Sequence, residues 1–488
     1  MRHITGRSRA SMMSTLRAAM LGTVCVVCGL LAGYQAFKGG QKNKVFRLKI
    51  SASASSQPDD LQIVTAHARQ QYRYLQPSNT SAISMHTVVP TGCDRWQDFQ
   101  MAGLYWSFLR SGQPGEITRI CGCETEELLH RSVFWLMPTW VTHAVTSAGD
   151  DRYPIYNKPW VLAQWFKMVK PTEEYFLVLD SDMVIHRPFL PEQFGIAPGW
   201  AAAQNIWYLQ DLNAVIIDKL FPDLLTHRFD DWLAEPGPMR RADEVAEFYF
   251  VHRADAPDVF RRYWEYAYPI REFMAGTSKE AIQRRENTTG EDWVSETHAY
   301  PLAAASSGVR HRGSNSSIYH VSHDIYDADP NAVHFCWTVE VEAHGYKWFK
   351  HWFEHFNFAA CPPWPEFHNK HRRGLFPHPP RPSLLTSQGS ALVKDLLNIE
   401  VVAVLNQAFC HLHHYKFCPR TDELMQQCGM ADQIMVELEQ RWEEVRQSFG
   451  GDLQCVDAQD ECSCTEDAWS CRRTCGLCQP HRRRTDPS

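Results

Sequence analysis

The sequence predicts an α/β fold with a mostly parallel central sheet, a helical C-terminal extension and a small disulfide-rich tail. Three observations predict it. Tyr175–Leu179 is an unbroken apolar run, the pattern of a strand covered on both faces. It is preceded by a helix-like segment and an earlier apolar strand, the order of a βαβ unit. Cys455, Cys462, Cys464, Cys471, Cys475 and Cys478 crowd into one short terminal stretch.

The chain of 488 residues exceeds what one ordinary core organises, so two or three units are expected. A hydrophobic content of 44% is that of a globular protein, and a net charge of −7 argues against nucleic acid as a partner. The apolar run 18–37, preceded by Arg2, Arg7, Arg9 and Arg17, is long enough to span a bilayer. A cleaved signal peptide is the alternative, with Ala52-Ser53-Ala54 as its processing point. The preferred reading is a single-pass type II protein: a cytoplasmic tail 1–17, a signal anchor 18–37 and a polar stem 38–80. The remainder then lies in the lumen of the endoplasmic reticulum or Golgi. Cysteine usage agrees, since 14 of the 16 cysteines follow the apolar run. In the tail, zinc at Cys475-Gly-Leu-Cys478 rivals disulfides, and the even count favours disulfides. Sequons at Asn79, Asn287 and Asn315 suit the same compartment.

The folded part, 81–420, begins with the β-branched run Ile83–Val89, ending at Pro90. A helix follows around Trp96–Leu109, then short strands at Ile117–Ile120 and Val133–Leu136. Asn157-Lys158-Pro159 opens a helix whose apolar face is Leu162, Phe166 and Val169, and Pro171 stops it. Beyond the Tyr175 strand come a strand at Phe248–Val251 and a helix carrying Phe260, Tyr263, Trp264 and Tyr266. Pro362–Pro382 reads as a surface loop or a domain-edge crossing, and Leu392–His414 as a helix. In 421–450, Leu424, Cys428, Ala431, Met435, Leu438, Trp442, Val445 and Phe449 alternate spacings of four and three. A dimeric coiled coil is possible; the shortness of the seam and Gly429 within it favour a helix packed on its own domain.

The chemistry centres on Asp180-Ser181-Asp182, directly after the apolar strand. Ligands of open α/β sheets bind at the carboxyl ends of strands, and paired carboxylates there suit Mn²⁺ or Mg²⁺ holding a diphosphate. Three readings stand: a surface turn, a haloacid-dehalogenase-type phosphatase with Asp180 as nucleophile, and a nucleotide-sugar transferase of the GT-A kind. A non-catalytic lumenal binding protein is a further alternative.

Met85-His-Thr-Val-Val-Pro90, Trp96–Phe108, Gln113–Arg119, Asn157-Lys-Pro159 and Glu174–Met183 together resemble the plant and green-algal peptidyl-serine α-galactosyltransferases. Trp293-Val-Ser-Glu296, Val309-Arg-His311, His334-Phe335, Ile399-Glu400, Leu405-Asn406 and His411–His414 extend the likeness in the same order. Those enzymes are related to the hydroxyproline O-arabinosyltransferases. The resemblance implies a GT-A fold and retaining transfer of galactose from UDP-galactose to serine of hydroxyproline-rich proteins. Hydroxyproline arabinosylation is the alternative.

Carried over residue by residue, the resemblance makes Asp180, Asp182 and His334 the metal ligands, His334 having a packed core histidine as its bland reading. Glu296 and Asp292 become the acceptor-side or catalytic carboxylates, against the reading of helix-start charges. Lys158, Asp180 and Ser181 would meet the diphosphate, and Thr87, Val88 and Val89 the uridine. Two motifs depart from the family. Its Ser-Glu-Met-Tyr-Gly stands here as Ser295-Glu-Thr-His-Ala299, and its His-Phe-Gly-Leu as His334-Phe-Cys-Trp337. The tail 451–480 resembles a shortened ShK toxin-like domain, either recruiting protein acceptors or capping the fold.

Overall fold

The computed structural model describes residues 83–125, 136–148, 151–206, 216, 219–221, 243–281, 294–321, 323, 329–364, 374–414 and 418–448. The anchor run 18–37, the stem, Asp292 and the six tail cysteines lie outside the described residues. Among the described residues no helix is long and apolar enough to cross a membrane.

Strand β1 (Met85–Gly92) is followed by α1 (Arg95–Ser111), β2 (Glu116–Cys123), β3 (Thr139–His143), α2 (Asn157–Val169) and β4 (Tyr175–Val178). Then come β5 (Met183–Ile185), β6 (Trp200–Asn205), β7 (Val245–His252), α3 (Ala256–Ala281), α4 (Ser295–Ser306) and β8 (Arg310–Ser314). The short strands β9 (Ile318–His320) and β10 (Ala332–His334) lead on to the long helices α5 (Gly389–Leu412) and α6 (Asp422–Ser448).

The main sheet has the order β8-β6-β7-β4-β1-β2-β3. Pairs β1–β2, β2–β3, β1–β4 and β6–β8 are parallel, while β7 runs antiparallel to both β4 and β6. The chain adds β2 and β3 on one side of β1, then crosses back through α2 to add β4 on the other. The order therefore reverses beside β1, and open α/β sheets bind ligands in a crevice at such a point, here outside the carboxyl ends of β1 and β4.

The unbroken apolar run of β4 is explained by its burial on both faces. Phe176 and Val178 enter a core formed with α2, α3 and α4; Leu177 and Leu179 enter the opposite core against α1. Asp94 caps α1 by accepting from the Gln97 N–H at 2.8 Å, and Gly112 ends the helix in the left-handed region at φ 68°. Lys170 plays the same terminating role for α2 at φ 49°, just before Pro171.

A third core lies on the far side of α1, where α5 and α6 pack. Leu424, Cys428, Ala431, Met435, Leu438, Trp442 and Val445 all point into it, so the seam of α6 covers its own domain. Burial of Leu424, Met435, Leu438 and Val445 contributes roughly 1.5–3 kcal/mol each. Cys410–Cys428 links α5 to α6, Cys361–Cys418 closes a longer loop, and Cys93–Cys123 joins the ends of β1 and β2.

One sequence expectation needs correction, and a second lies mostly outside the described residues. Pro362–Pro382 is not all surface: Leu375 and Phe376 are buried in the third core, and the Phe376 N–H donates to Asn406 Oδ1 at 2.8 Å. The strand expected at Val133–Leu136 falls mostly outside the described residues; Leu136 is a core residue and the strand observed begins at Thr139.

Candidate active site

Asp180-Ser181-Asp182 is the point at which the chain leaves the main sheet. Met183–Ile185 pairs instead with β10 in a second sheet of order β9-β10-β5. In that antiparallel register His334 lies opposite Met183, and the Phe335 N–H donates to the Asp182 carbonyl at 3.0 Å. A residue far away in the chain is thereby set beside the acidic turn. Ligand atoms of Asp180, Asp182 and His334 lie within 4.8 Å of one another.

Three cations neutralise this cluster. Lys158 Nζ is 2.8 Å from Asp180 Oδ1, His334 Nε2 is 3.2 Å from Asp182 Oδ2, and Lys350 Nζ binds the same Asp182 oxygen. Burial works against the Asp182 carboxylate, but Lys350 and His334 outweigh it and hold its pKa well below the usual range. For His334, burial opposes the imidazolium, and Cys336, Asp182 and Glu247 outweigh it, raising its pKa. Two carboxylates and an imidazole converging at the carboxyl end of a buried strand are a donor set that fits Mn²⁺ or Mg²⁺.

Lys158 is the second residue of α2 and joins two carboxylates. Its ammonium lies 3.6 Å from Glu296 Oε1 and sits over the Tyr249 ring, 5.1 Å from the centroid. Burial and those carboxylates compete over its proton, and the carboxylates win, raising its pKa. The helix start is fixed by Asn157, whose Nδ2 donates to the Thr91 carbonyl at 2.8 Å. Gly122 makes that approach possible, since a Cβ there would lie 1.9 Å from Asn157 Oδ1.

Glu296 stands in the first turn of α4 and is 6% exposed. Burial raises its carboxyl pKa against the pull of Lys158. Oε1 has no hydrogen bond among the described residues, so a buried acceptor stays available beside the lysine. The Ser181 hydroxyl donates to Gln100 Oε1 of α1 at 3.2 Å. Thr87, Val88 and Val89 are placed differently from the expectation. They lie in the middle of β1, fully buried, with Val88 in one core and Val89 in the other. The strand runs on to Gly92, so its crevice end is Pro90–Gly92.

Two residues of the site went unread in the sequence. Lys350 is 6% exposed and arrives from a turn far along the chain. Glu247 accepts a 2.9 Å hydrogen bond from His334 Nδ1 and has φ 74°, beside a bulge opposite Ala202–Gln204. Such a backbone costs on the order of 1–3 kcal/mol for a residue with a Cβ, so the site holds it in place. Burial opposes its charge, yet His320 and His334 bring its pKa down to about 2. Glu247 left a trace, as a carboxylate breaking the apolar run Val245–Val251. Lys350 left none.

No family model matches the chain. Over 431 residues, 83% of this chain, it is 29% identical to the peptidyl serine alpha-galactosyltransferase of Chlamydomonas reinhardtii, covering 56% of that protein. A hydroxyproline O-arabinosyltransferase of Medicago truncatula is 25% identical over 49% of this chain and 60% of its own length. The chain thus spans little more than half the length of these curated relatives. A solved structure of galactosyltransferase LgtC with donor and acceptor sugar analogues aligns with 48% of this chain and 75% of its own, at 8% identity and a TM-score of 0.26.

Proposed function

We propose that this chain is a glycosyltransferase that moves a sugar from a nucleotide donor onto a protein hydroxyl. More narrowly, the donor is UDP-galactose and the acceptor is serine of hydroxyproline-rich proteins, with retention at the anomeric carbon. The observation that carries the reading is the convergence of Asp180, Asp182 and His334 at the carboxyl end of β4, where the strand order reverses. The likeness to the algal serine galactosyltransferase over most of this chain supports the acceptor and sugar.

Asp180, Asp182 and His334 would hold Mn²⁺ or Mg²⁺, which supplies Lewis-acid stabilisation of the departing diphosphate. The protein's own contribution is positional and electrostatic. Lys158 and Lys350 keep the acidic turn from repelling a diphosphate, because each ammonium already sits on one of its carboxylates. Glu296, buried across Lys158 from Asp180, is the carboxylate on the acceptor side and can accept the proton of the incoming hydroxyl. The buried Tyr249–Tyr300 stack, centroids 3.5 Å apart, backs Lys158 and fixes its direction. The reading places the protein in the endoplasmic reticulum or Golgi membrane, with this site in the lumen.

A second reading, transfer of arabinose to hydroxyproline, is favoured by the likeness to the arabinosyltransferases. One experiment separates the two. A soluble form lacking residues 1–50 is incubated with Mn²⁺, a panel of UDP-sugars and a Ser-Hyp-rich peptide, and the products are weighed by mass spectrometry. A hexose added to serine from UDP-galactose supports the proposal, and a pentose added to hydroxyproline supports the second reading. No mass gain with any sugar overturns both.

A further inference from the structure

Beside the hard-ligand cluster lies a second group of side chains with different chemistry. Ligand atoms of His320, His334 and Cys336 lie within 4.8 Å of one another. His320 ends β9 and His334 ends β10, and the two strands pair in parallel with these residues directly opposite. Cys336 follows two residues later, forms no disulfide, and brings Sγ to 3.5 Å from His320 Nδ1. The other nitrogen of His320 is 3.8 Å from Glu247 Oε2, the oxygen that also bonds His334 Nδ1. Two imidazoles thus share one carboxylate, and a thiol lies beside one of them.

We propose that Cys336, His320 and His334 form a soft-metal site that takes Zn²⁺, adjoining the hard-ligand cluster and sharing His334 with it. A sulfur and two nitrogens in one cluster are the donors zinc prefers, and they are poor ligands for Mg²⁺. Glu247 is in contact with both rings and serves as the carboxylate that orients the two imidazoles. Binding forms a Zn–S bond and releases the Cys336 thiol proton to solvent, so uptake becomes weaker as pH falls. His334 offers one nitrogen to Asp182 and the other to Glu247, so occupation of the soft site draws on the same ring that the acidic turn uses.

Co²⁺ is the probe, because a cobalt–thiolate bond gives a near-ultraviolet charge-transfer band and tetrahedral cobalt absorbs strongly in the visible. The full chain, titrated with Co²⁺ alone, should develop both signals with one equivalent, and Zn²⁺ should abolish them. Cys336→Ser and Cys336→Gly should lose the thiolate band, His320→Ala should weaken cobalt binding at least tenfold, and Asp180→Asn should keep the band. Absence of the thiolate band overturns the proposal. So does a band that survives both Cys336 variants, which would come from another cysteine, or one lost with Asp180→Asn, which would belong to the acidic turn. The readout needs no sugar transfer, so it stands or fails separately from the proposed activity.

Discussion

Replacing His186 by asparagine should remove a defined pH dependence from the stability of this fold. The imidazole is buried, with Nδ1 2.7 Å from Glu400 Oε2 of α5 and Nε2 3.2 Å from Asp329 Oδ1. Its ring also packs on Trp442 of α6, at 4.7 Å between centroids, so one side chain ties the loop after β5 to both C-terminal helices. Burial alone would depress the imidazolium; Glu400 and Asp329 outweigh it and raise the pKa from 6.5 to about 9. At 1.36 kcal/mol per unit, that rise corresponds to about 3 kcal/mol of native-state stability. The folded value exceeds the unfolded one, so the contribution is complete below pH 6.5 and is lost as pH rises through about 9. Urea unfolding midpoints measured across that window should fall more steeply in the wild type than in His186→Asn, by an amount on the order of 3 kcal/mol. Equal slopes in the two proteins would refute the assignment, as would a wild type that gains stability with rising pH.

The other expectations concern the site and its supports. Asp182→Asn leaves Lys350 and His334 buried without their shared counter-ion, so stability should drop by about 3–5 kcal/mol in chemical unfolding and transfer should be abolished. Glu296→Gln keeps the shape of the pocket and removes the charge; turnover should fall on the order of 10²–10⁴-fold with the thermal midpoint nearly unchanged. Gly115 has φ 82°, and a Cβ there would lie 1.9 Å from the Met85 carbonyl oxygen, so Gly115→Ala should cost more than about 2 kcal/mol or abolish soluble expression. The double variant Cys361→Ser, Cys418→Ser opens a loop of separation 57 and should lose about 4 kcal/mol by the loop-entropy relation, read from urea midpoints.

The sequence by itself determined the elements whose reasons are local. Tyr175–Leu179 must be a doubly buried strand because no face of it is polar, and Pro159 and Pro171 bracket α2 because proline suits a helix start and ends a helix elsewhere. The four-and-three spacing along α6 fixed which face would be buried, and the third core fills it with those residues. Asp180 and Asp182 stood out in the sequence because they directly follow such a strand, at the end where open sheets bind ligands.

Only the tertiary structure decided what stands opposite them. His334 reaches Asp182 through the pairing of β5 with β10, and Lys350 through a turn that no local pattern marks. The direction of β7, antiparallel in an otherwise mostly parallel sheet, likewise depends on a connection rather than on its own residues. Thr87, Val88 and Val89 show the converse. They lie close in sequence to the end of β1, yet the strand continues to Gly92 and carries the crevice past them. Local sequence sets burial and periodicity, which act within a few residues. The site needs charges brought together from six separate segments, and that meeting is a property of the tertiary fold.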